Sequence, residues 1–271
     1  MITADFHVHS NFSSDGKASL EDMIGQGIRL GLKTLCFTDH MDYDYPSEYK
    51  YSFQLEIEDY LQKLELMKEK YKSQIEILTG IELGIQPQVI DRMNELVSKY
   101  SFDFIIGSVH VVDQIDPYYL KYWENGSEED GIIKCFRAIK DGCESYSGFN
   151  VCGHIDYIVR YAPSTKLKYN EYSYSYYADV LDEILKTLLK HGKGIEVNTS
   201  GYKYGLGHPH PKTEVLKRYK ELGGEIITIG SDAHLPEHLC FDFERVTALL
   251  KSIGYRYYTI FKEGKPIMKK L

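Results

Sequence analysis

The chain has 271 residues, with 40 acidic and 32 basic side chains and a formal net charge of -8, long enough for one barrel or two ordinary domains. That balance, with no dense basic run, argues against a surface built for nucleic acid or an anionic membrane, and no apolar stretch approaches the roughly 20 residues that span a bilayer. Five cysteines, Cys36, Cys135, Cys143, Cys152 and Cys240, lack CxxC spacing and mostly fall in apolar segments, so they read as reduced core residues of a cytoplasmic protein.

The N-terminus runs directly into Ile2, Thr3, Ala4, Asp5 and Phe6 without a charged leader or cleavage site, and export is not expected. Seven short apolar or β-branched runs then recur, at about 2–8, 33–38, 75–82, 102–108, 149–154, 194–199 and 225–230, the grammar of a parallel sheet when helical periodicity lies between them. After the first run, Leu20, Met23, Ile24, Ile28 and Leu32 mark one helical face, and Ser19 with Asp22 forms a capping-box pattern. Further helices are predicted at about 55–72, from Pro87 to about 100, and at 128–146, 172–191, 212–222 and 238–253. The helix carrying Val180, Leu181, Ile184, Leu185, Leu188 and Leu189 stops where Gly192 offers a left-handed cap. A terminal hairpin is predicted across 255–268. Seven β/α units without a linker predict an α/β protein of one domain over 1–271, a distorted TIM-like (β/α)7 barrel. The alternative, an open doubly wound sheet, would confine ligands to one crevice.

Nine metal-capable side chains sit at the ends of these runs. His7 and His9, two apart on a strand, point to the same side; Asp15 follows in a Ser-Ser-Asp-Gly turn, where its alternative role is an Asx-turn. His40 ends Thr38-Asp39-His40, and Asp232 and His234 form Ser231-Asp232-Ala233-His234. Polar triplets after apolar strands are costly unless paired, roughly 2–7 kcal/mol for each unpaired group, and coordination removes that objection. Asp39 is read either as a ligand neighbour or as an acceptor orienting a histidine. Glu82 is a lone carboxylate within Gly80-Ile81-Glu82-Leu83-Gly84, explained by bridging two cations or by a buried ion pair. His110 and His154 end the fourth and fifth runs.

Six imidazoles and three carboxylates without thiolates suit two or three ions of zinc, iron or manganese with open positions. Such ions lower the pKa of bridging water to give a hydroxide nucleophile, and the implied chemistry is hydrolysis. Arg160, beyond the fifth run, is suited to bidentate grip on a phosphate. Asn198 is placed either to meet substrate or to brace the following loop, and His208-Pro209-His210-Pro211 reads as a stiff loop outside the site. The loops at 41–53 and 111–129 are rich in aspartate and tyrosine, and their acidity suits a substrate with a cationic group besides its phosphate.

Taken in order, these motifs resemble the PHP (polymerase and histidinol phosphatase) superfamily over essentially the whole chain. The resemblance implies a distorted (β/α)7 barrel with three divalent ions: one held by His7, His9, Glu82 and Asp232, a second by Glu82, His110 and His154, and a third by Asp15, His40 and His234. The opening Asp5-Phe6-His7-Val8-His9-Ser10 and Phe12-Ser13-Ser14-Asp15-Gly16 are most similar to the monofunctional histidinol-phosphate phosphatases. Hydrolysis of L-histidinol phosphate, a small phosphomonoester, is therefore expected, with Asp232 handling the proton beside the nucleophile and Arg160 holding the phosphoryl oxygens. The alternative is another PHP phosphoesterase acting on phosphotyrosyl protein, a nucleotide or a phosphodiester.

Overall fold

The computed structural model describes residues 2–164, 167 and 172–271. Parallel strands β1 (Ala4–Val8), β2 (Thr34–Phe37), β3 (His40–Met41), β4 (Glu76–Gly84), β5 (Phe104–Ser108), β6 (Val151–Cys152), β7 (Gly194–Asn198) and β8 (Ile227–Gly230) form one sheet in the order β1-β2-β4-β5-β6-β7-β8, with β3 also paired to β4. Since β2 and β3 lie end to end along the nine-residue β4, they are one interrupted stave, and the barrel has seven. It closes at the catalytic rim through a parallel bridge between Val8 and Ala233, with the Asp232 amide donating to His7 O at 2.8 Å and the His9 amide to Ala233 O at 2.9 Å. The strands are buried along almost their whole length, as expected where helices cover a parallel sheet.

The described α-helices are α1 (Leu20–Arg29), α2 (Ile57–Tyr71), α3 (Ile90–Lys99), α4 (Glu128–Ser145), α5 (Ala178–Lys190), α6 (Ser200–Lys203), α7 (Thr213–Glu221) and α8 (Phe243–Ile253). The capping box at Ser19 and Asp22 is formed, and Ser127 with Asp130 forms another at the start of α4. Gly192 has φ +65 after α5. All five cysteines are free, four of them buried. No described helix is long and apolar enough to cross a membrane.

Boundaries moved for local reasons. The helix expected from 172 begins at Ala178, because Tyr174–Tyr176 forms a separate 3-10 turn. The one expected near 238 begins at Phe243, because Asp242 takes φ 53 and cannot continue a helix backward. Pro87–Val89 is a 3-10 turn ahead of α3. The run at 149–154 keeps only two strand residues, although Asn150 and Gly153 donate to Ile105 and Gly107 on β5. Helix α6 and the break before β3 were not anticipated.

The terminal hairpin, β9 (Tyr257–Lys262) with β10 (Lys265–Lys270), packs at the face opposite the rim. Phe261 stacks on Phe104, whose ring meets Phe6 edge-on, and the hairpin turn is tied to Asp103 at the start of the β5 stave. This leaves the C-terminal ends of the staves free to carry polar groups. On α5, Leu181, Ile184, Leu185 and Leu188 are fully buried, so Leu185→Ala is expected to lower the unfolding free energy of the metal-loaded protein by about 2–5 kcal/mol in urea denaturation. Metal content should not change; a loss well under 1 kcal/mol would show that α5 is not part of the core.

Candidate metal centre

All nine predicted ligands converge at the rim. Glu82 sits at the middle, fully buried: its Oε2 lies 3.1 Å from His7 Nε2, 3.5 Å from His9 Nε2 and 3.1 Å from His40 Nδ1, and its Oε1 lies 3.2 Å from His110 Nε2 and 3.0 Å from His154 Nε2. No lysine or arginine pairs with it among the described residues, so the ion-pair alternative does not describe this carboxylate. Asp232 Oδ1 lies 3.9 Å from His7 Nε2, 3.6 Å from His9 Nε2 and 3.5 Å from His234 Nδ1. Asp15 faces His234 Nε2 at 3.1 Å and His40 Nε2 at 4.0 Å. Five overlapping donor groups tight enough for single ions lie here: His7, His9 and Glu82; Glu82, His110 and His154; His9, His40 and His234; His7, His154 and Asp232; and His40, Asp42 and His110.

Several of these atoms have no hydrogen-bond partner although they are shielded from solvent: His9 Nε2, Asp15 Oδ1, His40 Nδ1 and His234 Nε2. Buried lone pairs left unmatched are costly, and their convergence on shared points is what a set of divalent cations would satisfy. Mixed imidazole and carboxylate donors fit zinc, iron(II) or manganese.

Electrostatics favour the same reading. Burial alone would depress His7, but Glu196, Glu82 and Asp232 push its pKa well above the usual value. At His40, burial is overcome by Glu82, Asp42 and Asp15, which raise it to about 9; at His110, Asp42 and Glu82 overcome burial and raise it well above. His9 goes the other way, driven well below by burial and by His234, His40 and His7. Burial would raise Glu82 and Asp232, yet the surrounding imidazoles hold both well below the usual carboxylate range.

An outer layer fixes the ring orientations, and much of it was missed in the sequence. Glu196 on β7 takes His7 Nδ1 at 2.5 Å and the His154 amide at 2.8 Å, leaving His7 Nε2 for the centre. It is a carboxylate inside an apolar strand, as Glu82 is, and the same signal would have found it. Gly230 is required beside it, since a Cβ there would stand 2.3 Å from His7 Cβ and 2.5 Å from Glu196 Oε1. Asp42 accepts from His110 Nδ1 at 2.7 Å, and a Cβ on Gly84 would stand 2.0 Å from its Oδ1. Asp39 meets no histidine side chain directly; it accepts from the amides and hydroxyls of Ser10 and Ser13, and Ser13 Oγ lies 3.1 Å from His9 Nδ1. Asn198 braces its loop, accepting from the Ser200 amide at 2.9 Å while its Nδ2 reaches Glu196 and Asp232. His208 and His210 lie outside the cluster.

The cluster opens into a cleft of about 430 Å³ with Arg160, Lys203, Tyr204 and Lys17 among its lining, along with Asp116, Tyr45 and Tyr118. A smaller recess of about 100 Å³ leads to Glu82, His110 and His154 and also has Arg160 on its wall. Arg160 therefore lies beside the centre. Lys203, whose Nζ donates to Asp232 O at 3.2 Å, is a second cation that the sequence did not single out.

The protons that the carboxylates hold on His7, His40 and His110 must leave when a cation binds, so affinity should rise with pH toward about 9 and fall as the medium is acidified. Zinc titrated into the metal-free protein at pH 7, in buffers of different ionisation enthalpy, is expected to show net release of roughly one proton or more. Heats that do not depend on the buffer would contradict this charge balance.

Comparison with known proteins agrees with this geometry. The PHP domain model matches residues 5–200. The chain is 29% identical to the histidinol-phosphatase of Lactococcus lactis subsp. lactis, over 98% of this chain and 96% of that one. It is 30% identical to a probable histidinol-phosphatase of Clostridium acetobutylicum, over 93% and 94%. A crystal structure of the Lactococcus lactis histidinol phosphate phosphatase complexed with zinc, L-histidinol and phosphate superposes with a TM-score of 0.89 at 28% identity, covering 98% of both chains. The putative histidinol phosphatase of Listeria monocytogenes, at 18% identity and TM-score 0.75, shares the fold. The match to the family model stops before Asp232 and His234, but the full-length likenesses extend across them. This chain belongs to the PHP domain family.

Proposed function

We propose that the protein is a metal-dependent phosphomonoesterase that hydrolyses L-histidinol phosphate to L-histidinol and phosphate, a step of histidine biosynthesis. The observation that carries it is a cluster of nine metal-capable side chains opening into a cleft lined by Arg160 and Lys203 as well as by Asp116. Three divalent ions, zinc, iron or manganese, would be held, one by His7, His9, Glu82 and Asp232, a second by Glu82, His110 and His154, and a third by Asp15, His40 and His234. When bound, they supply an acidified water and neutralise charge on the phosphoryl group. Asp232, held ionised by its imidazole neighbours, would accept a proton from the nucleophilic water at its carboxylate. Arg160 and Lys203 hold phosphoryl oxygens from the outer side.

The remainder of the substrate is met by the two acidic loops. Tyr45 donates to Asp116 at 2.5 Å, Tyr49 stacks on Tyr119 at 3.8 Å, and Lys121 pairs with Glu48 at 2.9 Å, so the loops are joined to each other over the cleft. Burial pushes the Asp116 carboxyl up in pKa despite the Tyr45 hydroxyl, and a cationic ammonium or imidazolium beside it would favour the ionised form. This suits an amino alcohol bearing an imidazole better than a nucleotide or a phosphodiester. The free, mostly buried cysteines support a cytoplasmic setting.

Metal-loaded protein is expected to release phosphate from L-histidinol phosphate in preference to phosphotyrosyl peptide, nucleotides and diesters. Arg160→Ala should lower kcat/KM by about 100- to 1000-fold, and Asp116→Asn should raise KM about tenfold. Efficient cleavage of a diester with L-histidinol phosphate left intact would contradict the proposal.

A further inference from the structure

His210 lies outside the metal cluster, yet it is fully buried and engaged on both sides. Its Nδ1 donates to Asp156 Oδ1 at 2.6 Å. The other oxygen of Asp156 accepts from the Lys212 amide at 2.7 Å and the Tyr172 hydroxyl at 2.9 Å. Asp156 also opens the 3-10 turn Tyr157–Tyr161 that carries Arg160, its carbonyl accepting from the Val159 amide at 3.1 Å.

On the other side, the backbone of His210 pairs with that of Asn198 at the end of β7 through two hydrogen bonds, 2.7 and 2.8 Å. The Asn198 side chain holds the Ser200 amide, and Ser200 Oγ lies 3.5 Å from Arg160 Nη1. The path from Asp156 through His210, Asn198 and Ser200 to Arg160 therefore closes on itself, since Arg160 and Asp156 share one turn. Arg160 depends on such a frame. Its guanidinium lies 4.4 Å from the ring centre of Tyr204 and 4.7 Å from that of Tyr161, and its Nη2 donates to the Tyr161 hydroxyl at 2.5 Å, so its aim follows the turn that carries both residues. Its Nε has no acceptor among the described residues, which leaves a donor for an incoming anion.

We propose that His210 is a positioning residue for Arg160: clamped between Asp156 and the end of β7, the imidazole fixes the turn from which the guanidinium meets a phosphoryl group. The identity of that anion rests on the phosphatase reading above. Histidine suits the task because its ring presents one donor to the carboxylate at a fixed angle while its backbone serves the strand end, and the rigid ring transmits the register of β7 to the turn.

Inorganic phosphate titrated into the metal-loaded protein reads the arginine clamp without any organic substrate. His210→Ala is expected to weaken phosphate binding about tenfold and to raise KM for L-histidinol phosphate in step, with kcat changed less than about threefold and metal content unchanged. His210→Asn, whose side-chain nitrogen replaces Nδ1 against Asp156, should restore most of the affinity. In an Arg160→Ala background, His210→Ala should add less than about twofold, because both act through one group. If His210→Ala does not fold, His210→Asn against His210→Gln carries the comparison, with Gln, its nitrogen displaced by a methylene, expected to be the weaker binder. A full further loss in the double variant, or equal phosphate affinity for the Asn and Gln variants, would overturn the proposal. If phosphate binding follows the expected pattern while L-histidinol phosphate is not hydrolysed, the substrate assignment fails and the role of His210 stands.

Discussion

The structure is organised around one carboxylate that has no place in a barrel interior unless cations surround it. Glu82 is buried at the end of β4 and touched by five imidazoles at 3.0 to 3.5 Å, and a charged group in that position is tolerated only when paired. Protonated histidines could partly serve, but His9 is driven well below its usual pKa by its neighbours, and unmatched nitrogens remain at His40 and His234. Divalent cations meet both demands. The barrel itself is closed at this point: the bonds that join β1 to the residues after β8 run through His7, His9 and Asp232, so the closure of the fold and the assembly of the centre are the same event.

Precision comes from the layer behind the ligands. Glu196 fixes which nitrogen of His7 faces inward and at the same time holds the His154 main chain. Asp42 does the equivalent for His110, and Asp39 organises the turn after β1 through two serines. Asp5 accepts from the amide and hydroxyl of Ser231, steadying the segment in which Asp232 takes φ 55. Such outer partners set the basicity and aim of metal-binding imidazoles. Beyond them, the cleft is lined by Arg160 and Lys203 together with Asp116, Tyr45 and Tyr118, cations for the proposed phosphoryl group and a carboxylate for the proposed cationic group.

The parts of this arrangement written in the sequence are those with a period or a cost. Strand runs with polar ends announce the staves, and every candidate ligand except Asp15, which lies in the turn after β1, follows closely on an apolar run. Glu82 is readable because a carboxylate between Ile81 and Leu83 demands a partner; Glu196, between Ile195 and Val197, carries the same demand. Asp42, Asp116 and Lys203 were not legible in this way. Asp42 and Asp116 sit on loops whose composition resembles any solvated loop and Lys203 ends the four-residue α6, and only the folded geometry, with Asp42 on His110, Tyr45 on Asp116 and Lys203 on the Asp232 carbonyl, gives them a role. Helix starts at 178 and 243 were displaced by a 3-10 turn and a left-handed aspartate, local conformations that periodicity does not encode.

The central claim is that this ligand set holds several divalent ions and that hydrolysis depends on them. Elemental analysis of purified protein, followed through graded chelation alongside phosphate release from L-histidinol phosphate, tests it most directly. The account predicts a content approaching three ions per chain and activity that disappears as they are removed and returns when zinc or manganese is restored. Full activity in protein stripped of all bound cations would contradict it.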